Sequence, residues 1–186
     1  MYNIPDNPQF VKRKMKFYFA LKAGMGMRLT TLCYVEKNGC YLMMHRIKKN
    51  HDENQGKWIG IGGHLEENES PEECIVREAM EETGLRIHSL KLRGILTFIL
   101  PEWGNELTFL FTAEAEGEVP DSCAEGVLKW IPKEEVLSLN LWEGDRCFLP
   151  LLQSRRDCFL MKLIYAEGGQ LLSCILDGST ILEHSL

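Results

Sequence analysis

Long apolar runs are missing from this chain of 186 residues, and none approaches the length of about 20 that a membrane-crossing helix needs. Paired cysteine motifs are missing as well. The seven cysteines (Cys33, Cys40, Cys74, Cys123, Cys147, Cys158 and Cys174) are odd in number, and no two form a CxxC. That argues against a zinc site and against a disulfide framework. Most stand among apolar neighbours and read as small core residues in a reducing, cytoplasmic setting. Excess positive charge is also lacking: 21 basic against 27 acidic side chains give a formal net charge of −6. Such a chain does not grip a nucleic-acid polymer by broad electrostatics. An acidic enzyme can still bind a small polyanion if metal ions supply local positive charge. His45, His64 and His88 lack metal-ligand spacing and read as ordinary surface or core residues. Repeats and low-complexity tracts are absent, and the length suits one domain.

What is there is concentrated in residues 63 to 85, GHLEENESPEECIVREAMEETGL. The stretch fits Gly-x5-Glu-x7-Arg-Glu-aliphatic-x-Glu-Glu-x-Gly-aliphatic without a gap, through Gly63, Glu69, Arg77, Glu78, Ala79, Glu81, Glu82, Gly84 and Leu85. At residue frequencies of roughly 7%, the seven fixed matches arise by chance in such a chain at about 10⁻⁵ or less. Ser70 reads as a helix N-cap, Glu73 completes a capping box, Pro71 fits the first helical position and Gly84 the stop. Ile75, Val76, Ala79 and Met80 recur at helical spacing and predict a buried stripe.

On that helix Glu78, Glu81 and Glu82 share one face at i, i+3 and i+4. Eight glutamates and one arginine lie between Glu66 and Glu82. Like charges so placed repel, and a divalent cation relieves the repulsion; oxygen-only ligands favour Mg²⁺ or Mn²⁺. An acidic run is more often a solvated face. The fixed offsets from Gly63 and Gly84, and the lone Arg77 able to bond carboxylates with both arms, favour chemistry here.

These residues resemble the Nudix box, and the chain resembles the Nudix hydrolases, of the MutT type that acts on 8-oxo-dGTP. The resemblance runs over roughly residues 28 to 176, through TTLCYV, YLMMHR, GKWIGIGGHLE, GILTF and EGVLKWIPKEEVLSLNLWEGDRCFLPLL. It implies Mg²⁺ (or Mn²⁺) held by Glu78, Glu81, Glu82 and the Gly63 carbonyl. Arg77 and Glu69 would orient those ligands, and Glu125 from a later loop would join the metals or take a proton from water. It implies attack of water on the β-phosphorus, giving a nucleoside monophosphate and pyrophosphate. The implied partner is a small-molecule nucleotide, with no nucleic-acid polymer and no membrane, and the protein acts as a monomer or homodimer. ADP-ribose, dinucleotides or nucleotide sugars are the alternative substrates. A Nudix-fold ligand sensor without catalysis is a third reading, which the intact glutamates oppose.

The base pocket lies outside the box. Trp142 and Asp145 match a stacking tryptophan and a purine-reading acid in some members, Phe98 a lining aromatic, and Ile59 the loop entering the site. Some relatives carry asparagine at the place of Ile59, where it reads the purine edge; the isoleucine cannot hydrogen-bond. The competing readings are a core place for Trp142, a capping or surface place for Asp145, and a solvated strand end for Arg46, which otherwise could touch a phosphate. Trp58 and Trp130 read as core.

Along the chain, Leu29–Val35 and Cys40–His45 predict a hairpin about Asn38-Gly39. Residues 47–57 read as an active-site loop. Leu90–Leu100 and Leu107–Ala113 predict two strands, with Val127–Ile131 as a third. A helical turn follows at Lys133–Leu137 and a helix at Leu141–Leu152. Phe159–Ala166 and Gln170–Leu176 predict a last hairpin. This is a mixed α/β sandwich, a mixed sheet between helices, as in the Nudix fold. Residues 1–26 read as a basic extension, or as lying upstream of a true start at Met25 or Met27, ahead of a domain spanning 27–186. Phe17–Leu21 is too short for a signal-peptide core.

Overall fold

Asn38 and Gly39 both take left-handed backbone angles (φ 50° and 77°), and they close the first hairpin, β1 (Arg28–Lys37) to β2 (Cys40–Arg46). The computed structural model describes residues 26–48 and 53–184, so the expectations about residues 1–25 lie outside the described residues. β1 and β2 pair only beside the turn, at Glu36–Tyr41 and Lys37–Cys40. Beyond that they part. The chain after β3 (Trp58–Ile59) fills the gap: Cys33 and Ile61 exchange backbone bonds of 2.6 and 2.9 Å, and Thr31 N–H donates to the Gly63 carbonyl at 2.8 Å. The glycines make this approach possible. A Cβ on Gly60 would lie 2.7 Å from the Cys33 carbonyl oxygen, and one on Gly62 would overlap that of Thr31.

From β1 the sheet continues through β5 (Glu106–Glu116), parallel to it, then β4 (Arg86–Ile99), antiparallel, and β7 (Phe159–Tyr165), parallel again. β8 (Leu171–Leu176) and β9 (Ser179–Glu183) extend it antiparallel, while β6 (Gly126–Pro132) lies along the far side of β2. The mixed sheet is as expected. β9 is an addition: four of its five residues are exposed, so no alternation marks it in the sequence.

Side-chain alternation along the strands builds a core on each face. Cys33 and Val35 of β1, Leu42 and Met44 of β2, and Phe111 and Ala113 of β5 pack with Ile75 and Ala79 of α1 (Pro71–Thr83). Their neighbours Tyr34, Tyr41, Met43 and Leu110 turn the other way, onto Phe148, Leu149 and Leu152 of α2 (Asp145–Ser154). The two helices therefore cover opposite faces, which is the sandwich that the order of elements predicts.

Three local expectations need correction. Val76 and Met80 are 49% and 42% exposed; the buried line of α1 is Ile75, Ala79 and Thr83, four residues apart, with Cys74 beside it. The helix expected at Leu141–Leu152 begins at Asp145, because the Gly144 N–H donates to the Tyr165 hydroxyl at 2.9 Å and Leu141 bonds back to the Leu139 carbonyl. The turn expected at Lys133–Leu137 is a short 3-10 helix at Val136–Ser138. Among the described residues no helix is long and apolar enough to cross a membrane.

Candidate active site

The first turn of α1 is fixed by a reciprocal cap. Ser70 Oγ accepts from the Glu73 N–H at 3.2 Å, and Ser70 N–H donates to Glu73 Oε2 at 2.8 Å. Gly84, at φ 70°, ends the helix with its N–H on the Met80 carbonyl. Between these ends, Arg77 organises the acids. Its Nε and Nη2 fork onto Glu69 at 2.8 and 2.9 Å, and Nη1 donates to Glu78 at 2.8 Å and Glu81 at 3.2 Å. Nη2 also reaches the His64 carbonyl at 3.2 Å. The Arg77 bonds, and then the Glu66 N–H 2.9 Å away, hold the Glu69 carboxyl down to about 2. Arg77 is raised in turn, chiefly by its bond to Glu69.

Gly63 faces Glu78 so closely that a Cβ there would overlap the Glu78 carboxylate. Glu82 accepts from the Gly62 N–H at 3.4 Å. Glu78, Glu82, Gly63 and Arg77 line one wall of a cavity of about 580 Å³. Glu81 does not reach it; its side chain is 61% exposed and leans on Arg77. Among the described residues no three acidic, histidine or cysteine side chains are gathered closely enough to grip an ion. The donors themselves suit a hard divalent cation, since all are oxygens and Gly63 leaves room for a carboxylate beside its carbonyl.

The other wall is aromatic. Trp142 donates from Nε1 to Asn54 Oδ1 at 2.8 Å, and Lys57 Nζ lies 4.9 Å from the ring centroid. Tyr165 meets it edge-on at 5.9 Å, and a Cβ on Gly169 would come within 2.9 Å of the indole. Asp145, the first residue of α2, is buried, and burial pushes its carboxyl up to about 7 against the pull of the Trp142 backbone and of Lys57 and Arg146. Phe98 and Ile59 line the same cavity. Arg46 and Glu125, brought face to face by the pairing of β2 with β6, form an ion pair on its wall.

Ten residues singled out in the sequence thus meet around one space: Gly63, Arg77, Glu78, Glu82, Glu125, Arg46, Ile59, Phe98, Trp142 and Asp145. Arg46 sits in an ion pair rather than at a solvated strand end. Four further lining residues carry no signal in the sequence. Asn54 lies in the loop read as part of the site, but nothing there distinguishes it. Glu53, Glu106 and Tyr34 read as a loop acid, a strand-edge acid and a core aromatic. Only the register Arg28–Glu106 between β1 and β5 brings Glu106 to a guanidinium 2.7 Å away. Burial pushes the Glu106 carboxyl up to about 7, with Arg28 pulling down and Glu53 adding to the rise.

Comparison with known proteins bears on the fold and the family. The family model of the NUDIX domain matches residues 27–152. The chain is 29% identical over 135 residues to an oxidized purine nucleoside triphosphate hydrolase of Mus musculus, covering 70% of this chain and 78% of that one. It is 32% identical over 123 residues to a GDP-mannose pyrophosphatase of Yersinia enterocolitica, covering 63% and 61% respectively. The crystal structure of a mutator MutT protein from Bacillus halodurans superposes with a TM-score of 0.73 at 29% identity, over 81% of this chain and 98% of that one.

Proposed function

The chain belongs to the Nudix hydrolase family, and from that premise we propose that it hydrolyses purine nucleoside triphosphates, oxidised ones such as 8-oxo-dGTP among them, to the monophosphate and pyrophosphate. The observation that carries this is one cavity with two unlike walls: acidic side chains of α1 on one, Trp142 and Asp145 on the other. A polyphosphate needs the first, and a flat base with polar edges suits the second. The likeness to the mouse enzyme supports the same reading.

Glu78, Glu82 and the Gly63 carbonyl would hold a divalent ion, with Glu81 joining them by swinging in from Arg77; the ion is Mg²⁺ with Mn²⁺ as substitute, and when bound it supplies positive charge against the polyphosphate and acidity toward water. The chain's own groups do the rest. Arg77 fixes the rotamers of Glu78 and Glu81 through its bonds to both. Glu125, beside Arg46, takes the proton as water oxygen bonds to the β-phosphorus and the bond from the β-phosphorus to the α-phosphate oxygen breaks. Trp142 stacks on the base, and Asp145 hydrogen-bonds its edge. Small-molecule substrates of this kind make nucleotide-pool sanitation in the cytoplasm the corresponding role.

The test is a panel with Mg²⁺ comparing 8-oxo-dGTP, dGTP, ADP-ribose and GDP-mannose, with the nucleoside monophosphate formed from each measured by chromatography and, for the triphosphates, phosphate measured with and without added pyrophosphatase. The proposal expects phosphate from the triphosphates only after pyrophosphatase. The likeness to the GDP-mannose pyrophosphatase favours the second reading, a nucleotide-sugar hydrolase. Faster cleavage of GDP-mannose than of every triphosphate would establish that one instead.

A further inference from the structure

The aromatic end of the cavity is short of hydrogen-bond partners. Among the described residues Glu106 and Glu53 share a single cation: Arg28 Nη2 lies 2.7 Å from Glu106 and 3.5 Å from Glu53. Two carboxylates against one guanidinium leave a negative charge over, where the Glu106 side chain is only 14% exposed. Among the described residues the Glu106 carboxyl meets no partner other than Arg28. Independently, the Tyr34 hydroxyl is buried without a hydrogen-bond partner in the wall of this same cavity, within electrostatic reach of Asp145. Buried polar atoms in native proteins are nearly always paired. The Tyr34 ring lines the cavity while its hydroxyl is sealed behind the surface, so the exposed polar contact at this end falls to Glu106.

Several of the surrounding side chains cannot read a base. Leu32, Ile59, Phe98 and Leu100 have no side-chain hydrogen-bonding atoms, and stacking on Trp142 sets the plane of a ring without distinguishing its edges. Asp145 supplies one polar contact. We propose that Glu106 is a second specificity-determining residue, whose carboxyl accepts a hydrogen bond from an N–H on the edge of the substrate's ring, separately from Asp145. The site then favours rings rich in N–H donors, such as amino-bearing or oxidised purines, over rings that present lone pairs there. Oxidation of a purine at its eight position converts a ring lone pair into an N–H, the change such an acceptor rewards. This inference rests on the purine-triphosphate reading above and names what distinguishes one base from another within it.

The competing role for Glu106 is a clamp that ties β5 to β1 through Arg28. The experiment compares wild type, Glu106→Leu and Glu106→Gln on 8-oxo-dGTP, dGTP and dTTP, with kcat, KM and Tm measured for each. Loss of a hydrogen bond to a charged group predicts that Glu106→Leu raises KM for the preferred purine about tenfold to a hundredfold, with a smaller rise for dTTP. Glu106→Gln keeps a carbonyl acceptor and retains most of the preference. A clamp predicts instead a lower Tm with the same loss on every substrate, and that result overturns the inference. Should wild type prefer a nucleotide sugar, the triphosphate reading fails by itself. The Leu-to-wild-type ratio is then taken between purine and pyrimidine forms of that sugar, and an unchanged ratio still overturns the role of Glu106.

Discussion

Behind the α1 wall of the cavity the Glu69 carboxyl sits in the fork of Arg77 and is held down to about 2, whereas at the Trp142 end burial raises the Asp145 and Glu106 carboxyls to about 7. The same functional group is tuned in opposite directions around one cavity of about 580 Å³, Asp145 and Glu106 lining it and Glu69 standing behind Arg77, which does. The cause is local. A bidentate guanidinium and a backbone N–H outweigh desolvation at one end, while desolvation outweighs Arg28 and Lys57 at the other. The first end keeps charge and can gather a cation. The second holds carboxyls that burial makes reluctant to ionise, Asp145 above all, while Glu106 keeps the Arg28 guanidinium beside it, and both suit a base edge rather than a phosphate.

Breaking the charged end should have the largest effect. Glu82→Gln preserves shape and removes the charge, and kcat should fall by about a hundredfold or more with Tm little changed. Steady-state kinetics beside a thermal melt checks this, and undiminished turnover would remove the α1 carboxylates from the chemistry. Glu81→Gln sharpens the point. Glu81 stands outside the cavity with its side chain 61% exposed, so a loss as large as that of Glu82→Gln would mean that Glu81 swings in during catalysis.

The acid tuning predicts opposite pH dependences of stability for the two ends. For Asp145 the folded value is raised, from 3.8 to about 7, so the native state resists ionisation. Stability from this group is intact below pH 4, falls as pH rises from about 4 to 7, and stays low above that. Asp145→Asn removes the effect. In denaturant melts its stability relative to wild type should rise across that window, by on the order of 4 kcal/mol. Glu69 behaves in reverse. Its folded value is lowered, so its contribution is present above about pH 4.5 and lost as pH falls toward 2. Glu69→Gln should flatten only the acid limb. Equal slopes for the two variants would dissolve the contrast between the ends.

The charged end was legible in the sequence and the neutral end only partly, for a physical reason. Gly63, Glu69, Arg77, Glu78 and Glu82 lie within one loop and one helix, so their geometry follows from local spacing and caps. The aromatic wall is assembled from distant strands. Trp142 meets Asn54 across 88 residues, and Glu106 meets Arg28 through the register of β1 on β5. Spacing encodes neither. Even within α1, helical period alone misplaced the buried stripe, because Val76 and Met80 are as apolar as Ile75 yet lie a third of a turn away from the sheet. β9 escaped because exposed strands carry no alternation.

At the neutral end, Trp142→Ala should raise KM by about tenfold, since stacking on an aromatic contributes roughly 1–3 kcal/mol per base. The loss should fall on every nucleotide alike, because a flat face does not distinguish bases. A change of base preference in this variant would transfer the reading of the edge from Asp145 to the indole. Isothermal binding of nucleoside monophosphates separates this from effects on catalysis.

The smallest expected effect concerns how rigidly the charged end is held. Ser70 caps α1, and its hydroxyl satisfies the Glu73 N–H at 3.2 Å. Ser70→Ala leaves that donor without its cap and should destabilise the protein by about 1 kcal/mol, seen as a lower denaturant midpoint with an unchanged slope. The cap lies eight residues ahead of Glu78 in the chain, so fraying of the first turn should loosen Glu69 and Arg77 before it reaches the carboxylates themselves. Turnover should then fall severalfold, with the ranking of bases untouched. If base ranking shifts instead, the two walls are mechanically coupled, and the separation of charge handling from base reading is not a property of this fold.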